Sequence, residues 1–227
     1  MDKLELQNII PLTNQEKEVF RTLRTNIEFT GIENRVIAVT SCTPDDGKTT
    51  VSFQLACAFA ENGKKTLYID ADLRKSVFIQ RFGIKGKPIG LCHCLSGQAS
   101  MLDSMYKTNI EYLYVMPVGA YPTNPTELLS KDRLAQMLTE LKKAFDYVII
   151  DTPPLASVVD AAIIAKQCDA SMLVLAADHS SRKLVKDVVA RLKTANPNFL
   201  GVVLNKVPIK NSFYGKYYGN YYGVEEI

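Results

Sequence analysis

The chain lacks the features of a membrane-spanning or secreted protein. None of its apolar runs approaches the roughly 18–20 residues that a membrane helix needs. Its first twenty residues, MDKLELQNIIPLTNQEKEVF, have neither the basic start nor the small-residue cleavage site of a signal peptide. We therefore expect a cytoplasmic protein that reaches the inner face of a membrane only through a partner.

Charge and cysteine usage argue against two further classes. The net charge of +3 over 227 residues is small and the basic side chains are scattered, so nucleic acid is not an expected partner. The five cysteines include no Cys-x-x-Cys pair. Cys92, His93 and Cys94 have the wrong spacing for the common zinc motifs, so we interpret them as a helix edge with two buried thiols.

Apolar segments of strand length alternate with segments of helical pattern, which predicts an α/β fold with a mostly parallel sheet and helices on both faces. The strands are uniformly apolar, as buried parallel strands are. Predicted strands lie at 35–41, 65–70, 111–116, 147–151, 170–176 and 199–205, and predicted helices at about 14–30, 48–62, 91–95, 126–145, 158–166 and 182–195. We expect one domain over residues 1–207. Residues 208–227, rich in Tyr and Gly, are expected to form a flexible tail.

The segment between the first strand and its helix has the pattern of a phosphate-binding loop. Gly47-Lys48-Thr49 opens the helix, where backbone N–H groups can hold phosphate oxygens. In such loops the Lys reaches the β- and γ-phosphates and the Thr hydroxyl ligates Mg²⁺. The predicted ATP-binding residues are Thr43, Pro44, Asp45, Asp46, Gly47, Lys48, Thr49 and Thr50. The alternative is a chance match at a helix start.

The loop departs from the usual pattern at two positions. Cys42 replaces the first glycine, and Asp45 occupies a position where glycine is comfortable. Asp tolerates a left-handed backbone better than most residues do. The adjacent acids Asp45 and Asp46 would be electrostatically unfavourable near phosphates unless both point outward.

Three carboxylates follow predicted strands. Asp70 and Asp72 come at the end of the second strand, and Asp151 ends the strand at 147–151. Because ligands of open parallel sheets bind outside the carboxyl ends of the strands, we expect these acids to gather around a metal ion and the γ-phosphate. Each alone is equally compatible with a turn residue after a strand.

Together the phosphate loop, the apolar-D-x-D-x-R segment at 67–74 and the later apolar-D-x-x-P segment resemble the bacterial tyrosine kinases, which are P-loop NTPases. The resemblance covers nearly the whole chain, including NPTELL at 124–129. Eukaryotic kinase signatures (HRD, DFG and a G-x-G-x-x-G loop) are absent. The related partition and septum-placement ATPases carry a signature Lys five residues before the loop Lys. Here that position is Thr43, which favours the kinase branch.

The resemblance implies roles for individual residues. Asp151 would act on Mg²⁺ through water, together with Thr49. Asp70 is the candidate base for the tyrosine proton and Asp72 the second choice, and both are candidate metal ligands. Arg74 would either stabilise phosphate charge or pair with Asp72. Asn205 resembles the family position near adenine.

The resemblance also implies partners. Glu18, Arg21 and Arg24 match the family's E-x-x-R-x-x-R oligomerisation motif, expected to build a ring-like homo-oligomer; the alternative is a solvated stripe of charge. A transmembrane regulator of polysaccharide chain length would be the activator, and a cognate tyrosine phosphatase would act on the product. The expected phosphate acceptors in the tail are Tyr214, Tyr217, Tyr218, Tyr221 and Tyr222.

Two other functions stay open at this point. One is a partition-type ATPase switch that dimerises on nucleotide. The other is a degenerate, non-catalytic regulator, which Cys42 and Asp45 would motivate.

Overall fold

The computed structural model describes residues 2–208. Within them, seven strands form one sheet in the order β3-β4-β2-β5-β1-β6-β7. The strands are β1 Val36–Ser41, β2 Thr66–Asp70, β3 Tyr106–Lys107, β4 Leu113–Met116, β5 Tyr147–Asp151, β6 Ala170–Ala176 and β7 Phe199–Asn205. All pairings are parallel except that of β3 with β4. The prediction of an α/β fold with a mostly parallel sheet is confirmed.

Eight helices accompany the sheet in this part of the chain. They are α1 Asn14–Glu28, α2 Lys48–Glu61, α3 Phe78–Arg81, α4 Leu91–Ser96, α5 Pro125–Leu129, α6 Asp132–Ala144, α7 Asp160–Lys166 and α8 Arg182–Ala195. Alternate strand residues belong to two separate apolar clusters, one on each face of the sheet. Helices α1 to α3 contribute to one cluster and α4 to α8 to the other, so the two groups of helices pack on opposite faces. No helix among residues 2–208 has both the length and the apolar character needed to cross a bilayer.

Sequence patterns located most of these elements, with three differences. The single helix predicted at 126–145 is two helices, because the backbone of Lys131 is extended. At the end of the first helix the Ser130 hydroxyl donates a hydrogen bond to the Thr126 carbonyl. Helix α3 and strand β3 were missed, since four and two residues are too short to carry a periodic pattern.

The topology decides where a site can form. Strands β2, β5, β1, β6 and β7 are neighbours and run parallel, so their carboxyl ends share one edge of the sheet. The last residues of these strands and the loops that follow them contain the phosphate loop and all three carboxylates singled out in the sequence. The fold therefore brings the predicted site residues to one place.

Candidate active site

The phosphate loop joins β1 to α2 and ends at a glycine that its geometry requires. Gly47 is the N-cap of α2 with φ of 90°. A Cβ at this position would lie 2.1 Å from Asn205 Nδ2. The helix has no side-chain cap, so its first backbone N–H groups suit an anionic ligand such as phosphate.

The two unusual residues of the loop do not obstruct it. The Cys42 side chain is buried in the apolar core, where burial, and then the charge of Asp46, raise the pKa of the thiol to about 11. Asp45 adopts the expected left-handed conformation with φ of 65°, and its side chain is exposed. These substitutions therefore leave the loop available to a ligand.

Asp46 corrects one expectation. The carboxylate does not point outward, because the residue is fully buried. Its oxygens accept hydrogen bonds from the backbone N–H groups of Thr43 at 2.8 Å and Ala176 at 3.1 Å. The negative charge is thus directed into the protein and away from the mouth of the loop.

Lys48 lies among the carboxylates at the base of the loop. Its Nζ is 3.4 Å from Asp72 Oδ2, 3.7 Å from Asp151 Oδ1 and 3.3 Å from the Thr49 hydroxyl. Burial alone would lower the pKa of Lys48, but the charges of Asp151 and then Asp72 outweigh it, and the pKa is raised. The side chain therefore stays cationic, as a phosphate ligand must be.

Asp151 provides an oxygen suited to a metal or its water. The Thr49 hydroxyl donates to Asp151 Oδ2 at 2.6 Å, and the buried Tyr68 hydroxyl donates to the same oxygen at 3.2 Å. The other oxygen, Oδ1, is buried without a hydrogen-bond partner. Lys48 Nζ, at 3.7 Å from this oxygen, is an ion-pair partner beyond hydrogen-bond distance. Buried polar atoms rarely lack a hydrogen bond, so this oxygen beside a phosphate loop fits Mg²⁺ and its water shell.

Asp70 lies directly across the β2–β5 register from Asp151. It accepts hydrogen bonds from the Ser76 hydroxyl and, at 3.3 Å, from the backbone N–H of Asp72. Burial, followed by the neighbouring charge of Asp151, raises the pKa of Asp70 to about 8. A carboxylate with a pKa near neutrality can exchange a proton during a reaction at physiological pH.

Asp72 completes the acidic group. Its Oδ1 accepts the backbone N–H groups of Arg74 at 3.3 Å and Lys75 at 3.0 Å. No cluster of three or more His, Cys, Asp or Glu side chains between residues 2 and 208 is close enough to hold a metal by itself. A metal here would depend on phosphate oxygens and water in addition to the protein, which is the usual way Mg²⁺ is bound.

The Arg74 side chain pairs with a carboxylate that the sequence did not single out. Its guanidinium binds both oxygens of the fully buried Asp160, with Nε at 2.6 Å from Oδ2 and Nη2 at 3.1 Å from Oδ1. The alternative in which the Arg74 side chain pairs with Asp72 is wrong, because the only hydrogen bond between the two residues comes from the Arg74 backbone N–H. Thr126 joins the cluster, because its hydroxyl donates to Asp160 Oδ1 at 2.7 Å. Arg74 therefore ties the segment after β2 to α5 and α7.

Sequence reasoning missed Asp160. It begins α7 and looks like an ordinary first-turn acid, which the helix dipole favours. Thr126 lies in the NPTELL segment that the sequence did single out, but with no role given to its hydroxyl. Only the packing of three separate elements reveals the cluster.

Two further predicted nucleotide residues have side-chain hydrogen bonds at or beside the loop. Asn205 Nδ2 donates to the Asp46 carbonyl at 3.0 Å, so this side chain reaches the phosphate loop. The Thr50 hydroxyl accepts a hydrogen bond from Arg81 Nη1 at 2.8 Å. Thr50 is thus held by α3, and a nucleotide role for it would fall to the backbone.

The predicted oligomerisation residues on α1 divide into two kinds. Glu18 and Arg21 form an exposed ion pair one turn apart. Arg24 instead packs against α2, where its Nη1 donates to the Ala58 carbonyl at 3.0 Å. Cys92 and Cys94 lie in α4 and are both buried, as expected for two buried thiols at a helix edge. The five tail tyrosines, Tyr214, Tyr217, Tyr218, Tyr221 and Tyr222, lie outside the described residues.

Comparison with known proteins bears on the family. A family model described as an AAA domain (AAA_31) matches residues 34–200. The tyrosine-protein kinase CpsD of Streptococcus agalactiae is 42% identical over 218 residues, which cover 96% of this chain and 95% of that protein. This chain belongs to the bacterial tyrosine-protein kinase family.

Other bacterial tyrosine kinases agree with the assignment. YwqD of Bacillus subtilis (strain 168) is 36% identical over 217 residues, covering 93% of this chain and 91% of that protein. The kinase domain of the Escherichia coli tyrosine kinase ETK superposes with a TM-score of 0.80 at 36% identity, covering 84% of this chain and 75% of that one.

The septum-placement branch is a more distant match. The septum site-determining protein MinD of Pyrococcus horikoshii, solved with Mg-ADP, gives a TM-score of 0.64 at 29% identity over 75% of this chain and 69% of that one. It shares the P-loop NTPase fold with this kinase. Thr43 in place of the signature Lys is consistent with the kinase branch.

Proposed function

We propose that this kinase transfers the γ-phosphoryl group of MgATP to tyrosine hydroxyls, including those in its own C-terminal segment. The observation that carries the proposal is the arrangement around α2. A cationic Lys48, the Thr49 hydroxyl and an Asp151 oxygen that accepts no hydrogen bond lie together at an uncapped helix N-terminus. Phosphoryl transfer requires positioning and charge neutralisation, which these groups supply.

We assign tasks to the side chains of the site. Lys48 binds the β- and γ-phosphates, and Thr49 with Asp151 would hold Mg²⁺, partly through water. The metal ion, when bound, neutralises charge on the transferring phosphoryl group. Asp70 accepts the tyrosine proton in its ionised form, and its raised pKa makes that form a stronger base than an ordinary carboxylate. Asp72 orients Lys48 and is a further candidate metal ligand.

Asn205 and Arg74 take supporting roles in this proposal. Asn205 is placed beside the loop, where the family resemblance puts adenine. Arg74 acts mainly through its bidentate contact with Asp160, which fixes the segment that carries Asp70 and Asp72. A direct contact with phosphate would require Arg74 to leave a buried carboxylate unpaired, which is costly.

We also propose a setting for the reaction. The chimeric protein CapA2B2 superposes on this chain with a TM-score of 0.81 at 31% identity, covering 92% of this chain and 95% of that one. By analogy, a transmembrane polysaccharide chain-length regulator activates this kinase at the cytoplasmic face of the membrane. A cognate phosphatase reverses the modification, and the cycle regulates capsular or exopolysaccharide synthesis and export.

Self-association completes the proposal. A ring-like homo-oligomer, built through Glu18 and Arg21 on the exposed side of α1, would bring the tail of one copy to the site of the next. Arg24 supports this interface by fixing α1 to α2. Linking acceptor and site within one assembly gives a high effective concentration.

Tail phosphorylation is expected to dissociate the oligomer. Each phosphate adds roughly −1.5 to −2 charges, so five phosphotyrosines place about −8 to −10 charges beside the acidic site. Replacing the five tail tyrosines with Phe keeps the aromatic bulk but removes the acceptors. We expect this variant to stay assembled during prolonged incubation with MgATP and the activator's cytoplasmic segment, while the parent takes up phosphate and dissociates.

Light scattering measures the assembly state, and intact-mass spectrometry measures the phosphate content of the same sample. The matched control replaces the exposed Tyr112 and Tyr121, outside the tail, with Phe, and this control should behave as the parent does. Equal dissociation of the parent and the tail variant would mean that ATP turnover, not tail charge, governs assembly.

A further inference from the structure

The carboxylate of Asp46 is the centre of a hydrogen-bond cluster within and behind the phosphate loop. Oδ2 accepts from the Thr43 backbone N–H at 2.8 Å and lies 3.2 Å from the Thr43 hydroxyl. Oδ1 accepts from the Ala176 backbone N–H at 3.1 Å and lies 2.9 Å from His179 Nδ1. A carboxylate only accepts, so His179 carries its proton on Nδ1 in this contact.

These contacts join separate parts of the chain. Thr43 belongs to the loop itself, Ala176 ends β6, and His179 lies between β6 and α8. The Asp46 side chain therefore links the phosphate loop to the segment that follows the neighbouring strand. The imidazole is about half exposed (45% for the side chain), whereas the carboxylate is fully buried.

The end of β7 holds the same loop through its backbone. Asn205 Nδ2 donates to the Asp46 carbonyl at 3.0 Å, and Lys206 Nζ donates to the Asp45 carbonyl at 2.6 Å. Groups at the ends of β6 and β7 thus restrain the loop. The mouth, where the N-terminus of α2 lies, remains uncapped.

The charge of Asp46 is also accounted for. Burial would raise the pKa of this carboxyl, but hydrogen bonds from His179 and from the Thr43 and Ala176 backbones outweigh burial, and the pKa is lowered. Asp46 is ionised and its oxygens are engaged inside the protein. Its side chain is therefore not directed at the phosphates, although Asp46 lies two residues before Lys48.

We propose that Asp46 and His179 are positioning residues that hold the phosphate loop in its triphosphate-binding conformation before nucleotide arrives, with His179 acting through Asp46. The inference rests on the proposed function only in taking ATP as the ligand of the loop. When the loop is already ordered, less binding free energy is lost to ordering it. Loss of the restraint should therefore weaken nucleotide binding more than it slows the transfer step.

The test compares two substitutions of the half-exposed imidazole in the full chain. His179→Ala removes the donor to Asp46, and His179→Asn restores it, because an Asn amide nitrogen occupies nearly the position of Nδ1. We expect His179→Ala to raise the KM for ATP by about five- to tenfold, in line with partial loss of a hydrogen bond to a charged group. The kcat should change by less than about twofold, and His179→Asn should return KM close to the parent value.

One control and one further variant complete the test. Lys183→Ala, on the exposed side of α8, should leave KM unchanged. Asp46→Asn keeps the shape but removes the charge, and it should raise KM at least as much as His179→Ala does. Thermal unfolding of each variant identifies simple misfolding.

Several outcomes would overturn the inference. An unchanged KM in His179→Ala would do so, as would a fall in kcat at constant KM or failure of Asn to restore what Ala removes. Failure of the proposed function has a different signature, namely parent-like nucleotide binding in a Lys48→Met variant.

Discussion

Lys48→Met is expected to abolish detectable MgATP binding and tyrosine phosphorylation. Methionine keeps an apolar stem of similar length but removes the charge aimed at the phosphates. Two carboxylates, Asp72 and Asp151, would remain at the site without their cation, with Nζ contacts of 3.4 and 3.7 Å lost. Affinity should fall by at least about a hundredfold, since a charge-assisted contact is lost and unbalanced acid then faces the triphosphate.

Isothermal titration calorimetry with MgATP measures this directly. Removing one member of a buried ion pair is destabilising, so urea unfolding must confirm that the variant is folded under the assay conditions. Lys64→Met, an exposed lysine in the turn after α2, is the matched control and should bind as the parent does. Parent-like affinity in Lys48→Met would refute the phosphate-loop interpretation.

Asp70→Asn is expected to separate binding from catalysis. If Asp70 accepts the tyrosine proton, its replacement should slow phosphorylation by about 10²- to 10⁴-fold, the usual contribution of a general base. MgATP binding should change far less, because Lys48 contacts Asp72 and Asp151 and not Asp70 in the hydrogen-bond and ion-pair network of residues 2–208. Asp187→Asn, on the exposed side of α8, controls for loss of a carboxylate.

The same substitution should stabilise the metal-free protein. The pKa of Asp70 rises from 3.8 to about 8 on folding, so the folded state holds a proton that the unfolded state releases. Stability therefore falls as pH rises from about 4 to 8, and the loss is greatest above pH 8. Asp70→Asn removes that loss, and we expect a higher unfolding midpoint at pH 8, by about 2–4 °C per kcal/mol gained.

Thermal unfolding at pH 5 and pH 8 without divalent metal measures the effect. The difference between parent and Asp70→Asn should be small at pH 5 and larger at pH 8. A variant less stable than the parent at both pH values would indicate that Asp70 is a structural acid, and a parent-like phosphorylation rate would remove it as the base.

The positions of Asp70 and Asp151 were predictable because parallel strands end at a common edge. That rule needs only the positions of the strand ends in a parallel sheet, and the apolar segments at 65–70 and 147–151 indicated both. Gly47 was equally predictable, since its left-handed conformation is what a loop entering α2 requires. These features depend on local pattern and on general properties of parallel sheets.

The contacts that hold the site in place were not predictable in the same way. Asp160 and His179 lie 86 and 133 residues from their partners Arg74 and Asp46 along the chain. Nothing in the local pattern of either residue distinguishes it from an ordinary helix-start acid or loop histidine. The inward direction of Asp46 likewise follows from donors at the end of β6 and just after it, so the loop sequence alone could not give it.

The two loop residues that suggested a degenerate regulator now have structural explanations. Cys42 packs into the core and Asp45 turns its side chain to solvent while adopting a left-handed backbone. Neither changes the groups that face a nucleotide. Catalysis is therefore expected despite the departure from the usual loop pattern.

Transfer of phosphate between copies of the chain tests the central claim most directly. The Lys48→Met chain, with an intact tail, serves as acceptor, and the chain with five tail Phe residues, with an intact site, serves as the kinase. After incubation with MgATP and the activator's cytoplasmic segment, mass spectrometry should locate phosphate on Tyr214, Tyr217, Tyr218, Tyr221 or Tyr222 of the acceptor, and none when either chain is incubated alone. An acceptor that stays unmodified, although both chains are folded and the Phe-tailed chain binds MgATP, would contradict this account.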